Sequence, residues 1–592
     1  MAELGKELEY IRGGAIHAVG TSFVIKTGGW RVTRPYFEDQ VPACQNACPA
    51  GNDIEAWIKL VQRDRYQDAY WHLKREEPFP AILGRVCFKF CEGKCNRSQL
   101  DKTVSIKSLE RFIGDIGDLT SPHSSLPDYN GTSLAVVGSG PAGMSAAYYA
   151  RLLGQKVTIF EALPEPGGIL RIGIPAYRLP REILAREFEG LKKMGIEVRT
   201  NTEVGKDITL EQLRAQFDYV FVATGAHKSR PIGVKGEEMS PHIMSGLTML
   251  KKVALGQKLE LGKKVAVIGG GNTAIDSART ALRLGCEVIV VYRRTQNEMP
   301  AHEEEVEESR QEGVEFRFLA APEKIELNGN GTIKKFVCCE MELGEVDQSG
   351  RRSPKKIEGK TFELKVDSLV SAVGEEPLFG YLDASVVTGA GAVKVGSDLS
   401  AQVKKEGKAK VFAGGDILDT PRTVIHAIGE GKKAAIGIDC LRKGINFEEL
   451  LPKISLGDGG ALSFALYMGW KTLNENPFDN KTVVTPEKIK YDYIEKAPQV
   501  EVKIKSPLER NKNFDPYIET YDKGAALQEA EHCMHCGRCM ECDNCLLFCP
   551  DASVLAQKGK PFSYAFEYDY CKGCIVCAEE CPCGVILSKR EE

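Results

Sequence analysis

At 592 residues the chain is too long for a single hydrophobic core, and about three or four domains are expected. Hydrophobic content of 43% and charged content of 27% are those of an ordinary globular protein. A net charge of −4 gives no electrostatic reason to bind nucleic acid or an anionic membrane, and no apolar run approaches the roughly 20 residues of a spanning helix. The start of the chain carries Glu3, Glu7 and Glu9 and lacks a signal peptide's apolar stretch, so the cytoplasm is the expected location.

Residues 1–40 show no clear period and read as an extended lead-in. From Cys44 to about Asp118 the pattern is helical, with Ile54, Trp57, Ile58 and Val61 on one face. Residues 119–131, with Ser, Pro, His, Asp and Gly, read as a linker. Two strand–turn–helix units open at Leu134 and Lys264, and a third glycine-rich strand end follows at 411–416. Residues 446–530 are polar, punctuated by proline and weakly periodic, which suggests a connecting arm ahead of a compact cysteine-rich end.

The 20 cysteines are informative because of where they lie: five between Cys44 and Cys95, eleven between Cys533 and Cys583, and four in the long middle. Tight clusters in a cytosolic chain suggest metal binding or catalysis rather than disulfides. So many thiols point to iron–sulfur chemistry more than to zinc.

In the first glycine-rich unit the apolar strand from Leu134 runs into Gly138, Gly140 and Gly143, spaced as G-x-G-x-x-G, and then into an apolar helix. The glycines let the backbone approach a pyrophosphate seated on the helix N-terminus. Glu161, at the end of the next strand, stands where an acid binds a ribose 2′-hydroxyl. A lone fingerprint is weak evidence; strand, helix and a correctly spaced acid together indicate a dinucleotide site. In the second unit Gly269, Gly271 and Ala274 follow the strand, Ala274 being a variant that the fingerprint allows. Here the ribose-end acid is missing and Arg293 and Arg294 stand instead. Guanidinium groups match a 2′-phosphate that a carboxylate would repel, which favours NADP(H) over NAD(H); two solvated arginines after a strand are the bland alternative. Gly415 and Asp416 close the third strand end, where an Asp can bind a flavin ribityl chain. The helix from about Thr423 would aim its N-terminus at the electron-rich end of the isoalloxazine. Residues 220–225 and 369–374, ending in Gly225 and Gly374, look like paired strands where the chain crosses between FAD and NADP(H) domains.

The carboxyl-terminal end holds two bacterial ferredoxin signatures, Cys539, Cys542, Cys545 and Cys549, then Cys571, Cys574, Cys577 and Cys581, each followed by proline. The fourth cysteine of each run ligates the other cluster. One [4Fe–4S] site is then Cys539, Cys542, Cys545 and Cys581, and the other Cys571, Cys574, Cys577 and Cys549. Zinc would not use two such runs.

With Gly168 and Arg178 in the segment after Glu161, the run Glu298 to Ala301, and the helical segment holding Cys87, Cys91, Cys95 and Glu110, residues 40–445 resemble the small subunit of NADPH-dependent glutamate synthase and its relatives. Those include NADPH–ferredoxin transhydrogenases and the amino-terminal half of dihydropyrimidine dehydrogenase. The resemblance implies FAD on the first fingerprint, NADP(H) on the second, and two [4Fe–4S] clusters in the helical domain. Its first cluster maps to Cys48, Cys87, Cys91 and Glu110. Its second maps to Cys44 and Cys95 plus an upstream C-x-x-C, and no cysteine precedes Cys44 here. Cys533 and Cys536 look like the missing pair, transplanted to the other end; the rival reading makes them spare thiols and leaves one amino-terminal cluster.

The expected fold is α/β and multidomain: an extension at 1–40, a helical [4Fe–4S] domain at 41–125, an FAD domain at 131–245 and 385–445 with the NADP(H) domain at 246–384 nested in it, the arm at 446–530, and a two-cluster ferredoxin-like domain at 531–592. The expected function is electron transfer between NADP(H) and a protein partner through FAD and the clusters, with no side chain acting as acid, base or nucleophile. A 2-oxoacid:acceptor oxidoreductase or ferredoxin is the favoured partner, and a glutamate synthase large subunit the alternative. A redox-sensing scaffold is the non-enzyme alternative. A thiol–disulfide reductase would need a C-x-x-C near the flavin, which Cys286, Cys338, Cys339 and Cys440 do not supply. These four and Cys583 read as incidental thiols, and His426 as a packed helix residue.

Overall fold

The computed structural model describes residues 10–12, 26–118, 126–347, 350–382, 386–388, 391–403, 408–470, 482–557 and 564–591. The first part of the expected linker, 119–125, and residues 471–481 of the expected arm lie outside them.

Two doubly wound sheets carry the middle of the chain. In the first, Lys410–Ala413, Tyr219–Val222, Ser133–Val137, Lys156–Phe160 and Glu197–Arg199 run parallel, with Ser400–Ala401 antiparallel at one edge. The second is parallel throughout, in the order Glu315–Phe318, Glu287–Tyr292, Lys264–Ile268, Ser368–Ser371, Ile243–Ser245. Its central strands are buried on both faces, which is why they read as continuous apolar runs. Strand Ile243–Ser245 already belongs to this second sheet, just ahead of the boundary expected at 246.

Residues 220–225 and 369–374 do not pair with each other as expected. Each ends a strand of its own sheet, and the pairing is made just beyond, by Lys228–Ser229 against Glu375–Glu376. A strand buried at the centre of its sheet has no free edge left to lend to a crossover. In the first domain, helix Pro141–Leu152 packs closely on helix Val424–Lys443 because small residues meet. A Cβ on Gly431 would run into the Ala142 carbonyl, and the Ser145 hydroxyl donates to the Ile428 carbonyl at 2.7 Å. That contact sets the residues around Thr423 beside the first glycine fingerprint.

The helical domain departs from simple amphipathicity. All eight residues of helix Ile54–Val61 are buried, including Glu55 and Lys59, which pair at 2.6 Å. The face that the sequence assigns to water instead grips the carboxyl-terminal cysteine segment. Glu55 meets His535 at 2.7 Å and Arg538 at 3.1 Å, Lys59 donates to the Cys539 carbonyl at 3.0 Å, and Gln62 donates to the Ala530 carbonyl at 2.7 Å. Buried charges survive because each is paired and hydrogen-bonded.

The expected arm is a strap rather than a spacer. Helix Phe447–Ile454 continues the first dinucleotide domain, and residues 495–520 lie along the helical domain, where Arg97 donates to the Glu495 carbonyl at 2.9 Å and Arg111 to the Ile518 carbonyl at 2.6 Å. The amino-terminal lead-in likewise contributes strands. Thr33–Phe37 pairs antiparallel with Ile586–Arg590, and Tyr10–Arg12 with Val554–Gln557, so each half of the last domain is edged by a strand from the other end of the chain. Gly573 sits at φ +72° with the Thr33 carbonyl where a Cβ would go. Gly573→Ala is therefore expected to loosen this edge, costing about 1–3 kcal/mol. Hydrogen exchange should quicken by about tenfold or more at 586–590 and leave the two parallel sheets unchanged.

Candidate functional site

The first fingerprint turns as its glycines require. Gly138 has φ +97° and would put a Cβ against the Ala223 carbonyl, while a Cβ on Gly143 would strike the Gly138 carbonyl. Gly140 then caps helix Pro141–Leu152, whose first turn opens on a cavity of about 620 Å³. That volume falls in the range of about 300–1,000 Å³ typical of cofactor sites. Gly138, Gly140, Glu161, Gly168, Arg178, Gly225, Gly415, Asp416 and Thr423 all line it. The Glu161 carboxylate is buried at the strand end and accepts from the backbone N–H groups of Ser139 at 3.0 Å and Leu163 at 2.8 Å, and from the Ser139 hydroxyl. Burial lifts the Asp416 carboxyl above its usual range. Thr423 caps helix Val424–Lys443 and its hydroxyl lies 2.7 Å from His426 Nδ1, which makes His426 a packed helix residue.

The cavity continues to Asn272, Thr273 and Asp276 on the helix of the second fingerprint, so both dinucleotide sites open into one space. Gly269, at φ +138°, would meet the Ala372 carbonyl with a Cβ; Gly271 caps helix Asn272–Arg283, and Ala274 is fully buried. Gly374 does not line the cavity: at φ +122° its carbonyl accepts from Arg230 N–H at 2.9 Å, so it shapes the crossover. Arg178 lines the cavity with its guanidinium held by Asp276 at 2.8 Å and Glu305 at 3.0 Å, which makes it a tie between the two domains. The adjacent arginines also separate. Arg294 is buried against Asp347 at 2.6 Å and the Arg352 carbonyl at 2.7 Å, while Arg293 is exposed at the strand end.

The thiols gather in four groups. Cys44 is pushed well above the usual thiol range by burial and then by the nearby thiols of Cys95, Cys533 and Cys536. Cys87 is raised by burial, then by Glu110 and Cys48, and Cys91 by burial, then by Cys87 and Cys48. Glu110 is itself buried with Oε1 lacking a hydrogen-bond partner, the mark of a carboxylate set aside for something else. In the last domain, burial and then Cys539, Cys581 and Cys542 raise Cys545, while burial and then Cys549, Cys571 and Cys574 raise Cys577. Among the described residues no three such side chains converge tightly enough to hold a single metal ion.

Two family profiles match the chain. One, described as pyridine nucleotide-disulphide oxidoreductase, spans residues 132–431. The other, described as dihydropyrimidine dehydrogenase domain II, 4Fe-4S cluster, spans residues 37–120. The chain belongs to the pyridine nucleotide-disulphide oxidoreductase family. It is a flavin-dependent NAD(P)H oxidoreductase of the electron-transfer type, and FAD, a nicotinamide dinucleotide and [4Fe–4S] chemistry go with its two matched regions. It is 37% identical over 523 residues to the beta subunit of an NADP(+)-dependent formate dehydrogenase from Moorella thermoacetica, covering 84% of this chain and 70% of that one. It is 35% identical over 532 residues to the beta subunit of an NADPH-Fe(3+) oxidoreductase from Geobacter sulfurreducens, covering 85% and 76%. Against the small chain of Escherichia coli glutamate synthase the identity is 34% over 416 residues, covering 67% and 88%. No helix among the described residues is long and apolar enough to cross a membrane.

No cysteine is among the described residues lining the cavity, so the disulphide chemistry in the family's name has no thiols there. Sequence reasoning missed Val86 and Phe88, which line the cavity on either side of Cys87, and Ser139, which clamps Glu161. The first two were detectable as apolar neighbours of a cluster cysteine; nothing marks Ser139. The split arginine pair is testable. Arg293→Ala should raise the KM for NADPH by about tenfold, the loss of one charge-assisted contact, with the melting temperature unmoved. Arg294→Ala should lower the melting temperature and leave the NADPH-to-NADH preference in place.

Proposed function

We propose that this chain is the NADP(H)-facing electron-transfer subunit of a larger complex, with four [4Fe–4S] sites leading from the flavin cavity to the carboxyl-terminal domain. One observation carries the reading: Val86 and Phe88 line the cavity while Cys87 between them belongs to the Cys48, Cys87, Cys91 and Glu110 quartet. Bound FAD supplies the exchange between a hydride pair and single electrons, which cluster sites need because each takes one.

The spacing of the proposed ligands supports an order of the sites. Cys48 of the first quartet and Cys44 of the second are four residues apart; Cys536 of the second and Cys539 of the third are three apart; Cys545 of the third and Cys549 of the fourth are four apart. Even a fully extended chain keeps such pairs within about 14 Å. Each site is thus chained to the next by a short covalent link. Lys432, on the helix that Thr423 caps, reaches Glu76 at 2.6 Å and the Ala50 carbonyl, which ties the flavin domain to the loop carrying Cys48. Arg293 is the candidate contact for a 2′-phosphate. The longer coverage of the formate dehydrogenase and Fe(3+) oxidoreductase subunits than of the glutamate synthase small chain favours a dehydrogenase-type or ferredoxin-type partner over a synthase subunit.

The count is checked by metal analysis of anaerobically purified protein. About sixteen irons per chain are expected, four for each of four cubes. Cys533→Ser with Cys536→Ser should remove about four while leaving flavin content unchanged; undiminished iron would end the proposal of a quartet shared by the two ends. NADPH added to the wild-type protein should reduce the clusters in the electron paramagnetic resonance spectrum.

A further inference from the structure

The last domain is built twice. A shift of 32 residues carries Cys539, Cys542, Cys545 and Cys549 onto Cys571, Cys574, Cys577 and Cys581. The backbone follows: Glu541, Asp543 and Ala552 take positive φ of 59°, 61° and 46°, and their counterparts Gly573, Ile575 and Gly584 take 72°, 66° and 70°. Helix Asn544–Leu547 corresponds to helix Val576–Glu579, and strand Val554–Gln557 begins where Ile586–Arg590 does.

The surfaces of the two halves differ. At equivalent positions the first half carries Leu547 and Phe548 and the second Glu579 and Glu580. The second half is touched by this chain's own strap: Lys490 pairs with Glu579 at 3.2 Å and donates its backbone N–H to the Pro582 carbonyl at 3.1 Å, and the Tyr493 hydroxyl donates to Glu580, although the Glu579 side chain stays 72% exposed. The first half has no such cover among the described residues. Leu547 is 66% exposed and Phe548 48%, while Cys542 is exposed in the first half as its counterpart Cys574 is in the second. Carboxylates stand around this apolar pair. Asp543 immediately precedes its helix and accepts from the Tyr564 hydroxyl at 2.7 Å, and Asn544 donates to the Glu580 carbonyl at 3.1 Å, which brings Glu580 close; Glu541 is already paired with Arg63 at 2.7 Å. The cluster sites add negative charge of their own, since four thiolates outweigh the charge of the iron–sulfide core.

We infer that Leu547 and Phe548, with Asp543 beside them, form the docking face for an external one-electron carrier whose own redox group lies in an apolar patch ringed by basic residues. The inference rests on the electron-transfer reading above and names where that chain of sites meets its partner. The twin half gives the contrast: there Lys490 and the Tyr493 hydroxyl meet the carboxylates of Glu579 and Glu580, whereas Leu547 and Phe548 at the equivalent positions call for an apolar contact, and basic character in the partner would answer Asp543 and the cluster charge. Leu547 and Phe548 lie between Cys545 and Cys549, ligands of both carboxyl-terminal quartets, so a carrier seated there reaches either site. A small apolar contact with a charged rim suits a transient redox encounter, which needs little buried area and gains its rate from electrostatic steering.

The probe is heart cytochrome c, a small cationic haem protein, with the full-length holoenzyme. Leu547→Ser with Phe548→Ser should lower kcat/KM for NADPH-driven cytochrome c reduction by about tenfold and weaken cytochrome c binding by a similar factor in calorimetry. Methyl viologen reduction by the same sample provides the internal reference. Asp543→Asn should flatten the decline of the cytochrome c rate with added salt. Leu508→Ser, a 73% exposed leucine on the strap, is the surface control and should change neither rate. If the double variant misfolds, as iron content would reveal, Phe548→Ala alone should still cost severalfold. Unchanged cytochrome c affinity and rate in an iron-replete double variant would overturn the docking face. Failure of NADPH to reduce the carboxyl-terminal clusters in the wild-type protein would instead overturn the electron-transfer reading on which it rests.

Discussion

The fold depends on one junction, where four half-buried thiols from opposite ends of the chain come together. Cys44 and Cys95 arrive on the helical domain, Cys533 and Cys536 on the turn after helix Lys523–Glu531. Burial holds all four thiols above their usual range, so the protons stay on while nothing else claims the sulfurs. The metal cluster proposed for these four would replace those protons, which would make its binding energy part of the folding energy. The surrounding polar contacts prepare the junction. Arg538 reaches Asp53 at 2.8 Å and Glu55 at 3.1 Å, and Arg97 holds the His532 carbonyl at 2.8 Å. A helix that had to be apolar on one side only is thereby closed on every side.

A second buried network fixes how the two dinucleotide domains face each other. Arg279 pairs with Glu305, Glu308 and Glu312, Arg283 and Arg510 with Glu312, and Arg178 with Asp276 and Glu305. Four arginines, Arg178 from the flavin domain, Arg279 and Arg283 from the nicotinamide domain and Arg510 from the strap, face four carboxylates of the nicotinamide domain. Such an assembly contributes little net stability because desolvation offsets attraction, yet removing one member strands a charge at a cost of about 3–5 kcal/mol. Its value is specificity: one relative orientation satisfies all eight groups. Because Arg178 also lines the cavity, that orientation is the one in which both fingerprints share a single space.

Much of this was legible in the sequence because local geometry leaves a local record. The glycines at 138, 140 and 143 and the thiol spacings from 539 to 581 are short-range demands; the structure gives Gly138 and Gly143 the close backbone approaches they allow and sets thiols of the last domain near one another. What the sequence hid is long-range. Nothing in Glu55, Lys59 or Gln62 distinguishes a solvated helix face from one that meets a segment some 480 residues away, since the residue types are the same. Arg293 and Arg294 look alike until Asp347, across a hairpin, takes one of them. The arm at 446–530 reads as a spacer because its contacts are scattered, with its carbonyls accepting from Arg97 and Arg111 and its Arg510 pairing with Glu312, and such isolated contacts impose no period on the sequence.

The lead-in carries the same lesson one step further. Strand Thr33–Phe37 contains Pro35, which argues against a central strand, and its alternation is too short to stand out. As an edge strand the proline is tolerated, because a residue there needs its N–H on one side only. The two halves of the last domain each end in a strand whose outer edge would otherwise be bare, and an uncovered edge next to exposed redox sites invites pairing with another chain. Tyr10–Arg12 and Thr33–Phe37 occupy those edges. The start of the chain therefore acts as the boundary of its end, and this closure leaves Leu547 and Phe548 as apolar surface without the polar contacts that the strap makes to Glu579 and Glu580 in the twin half.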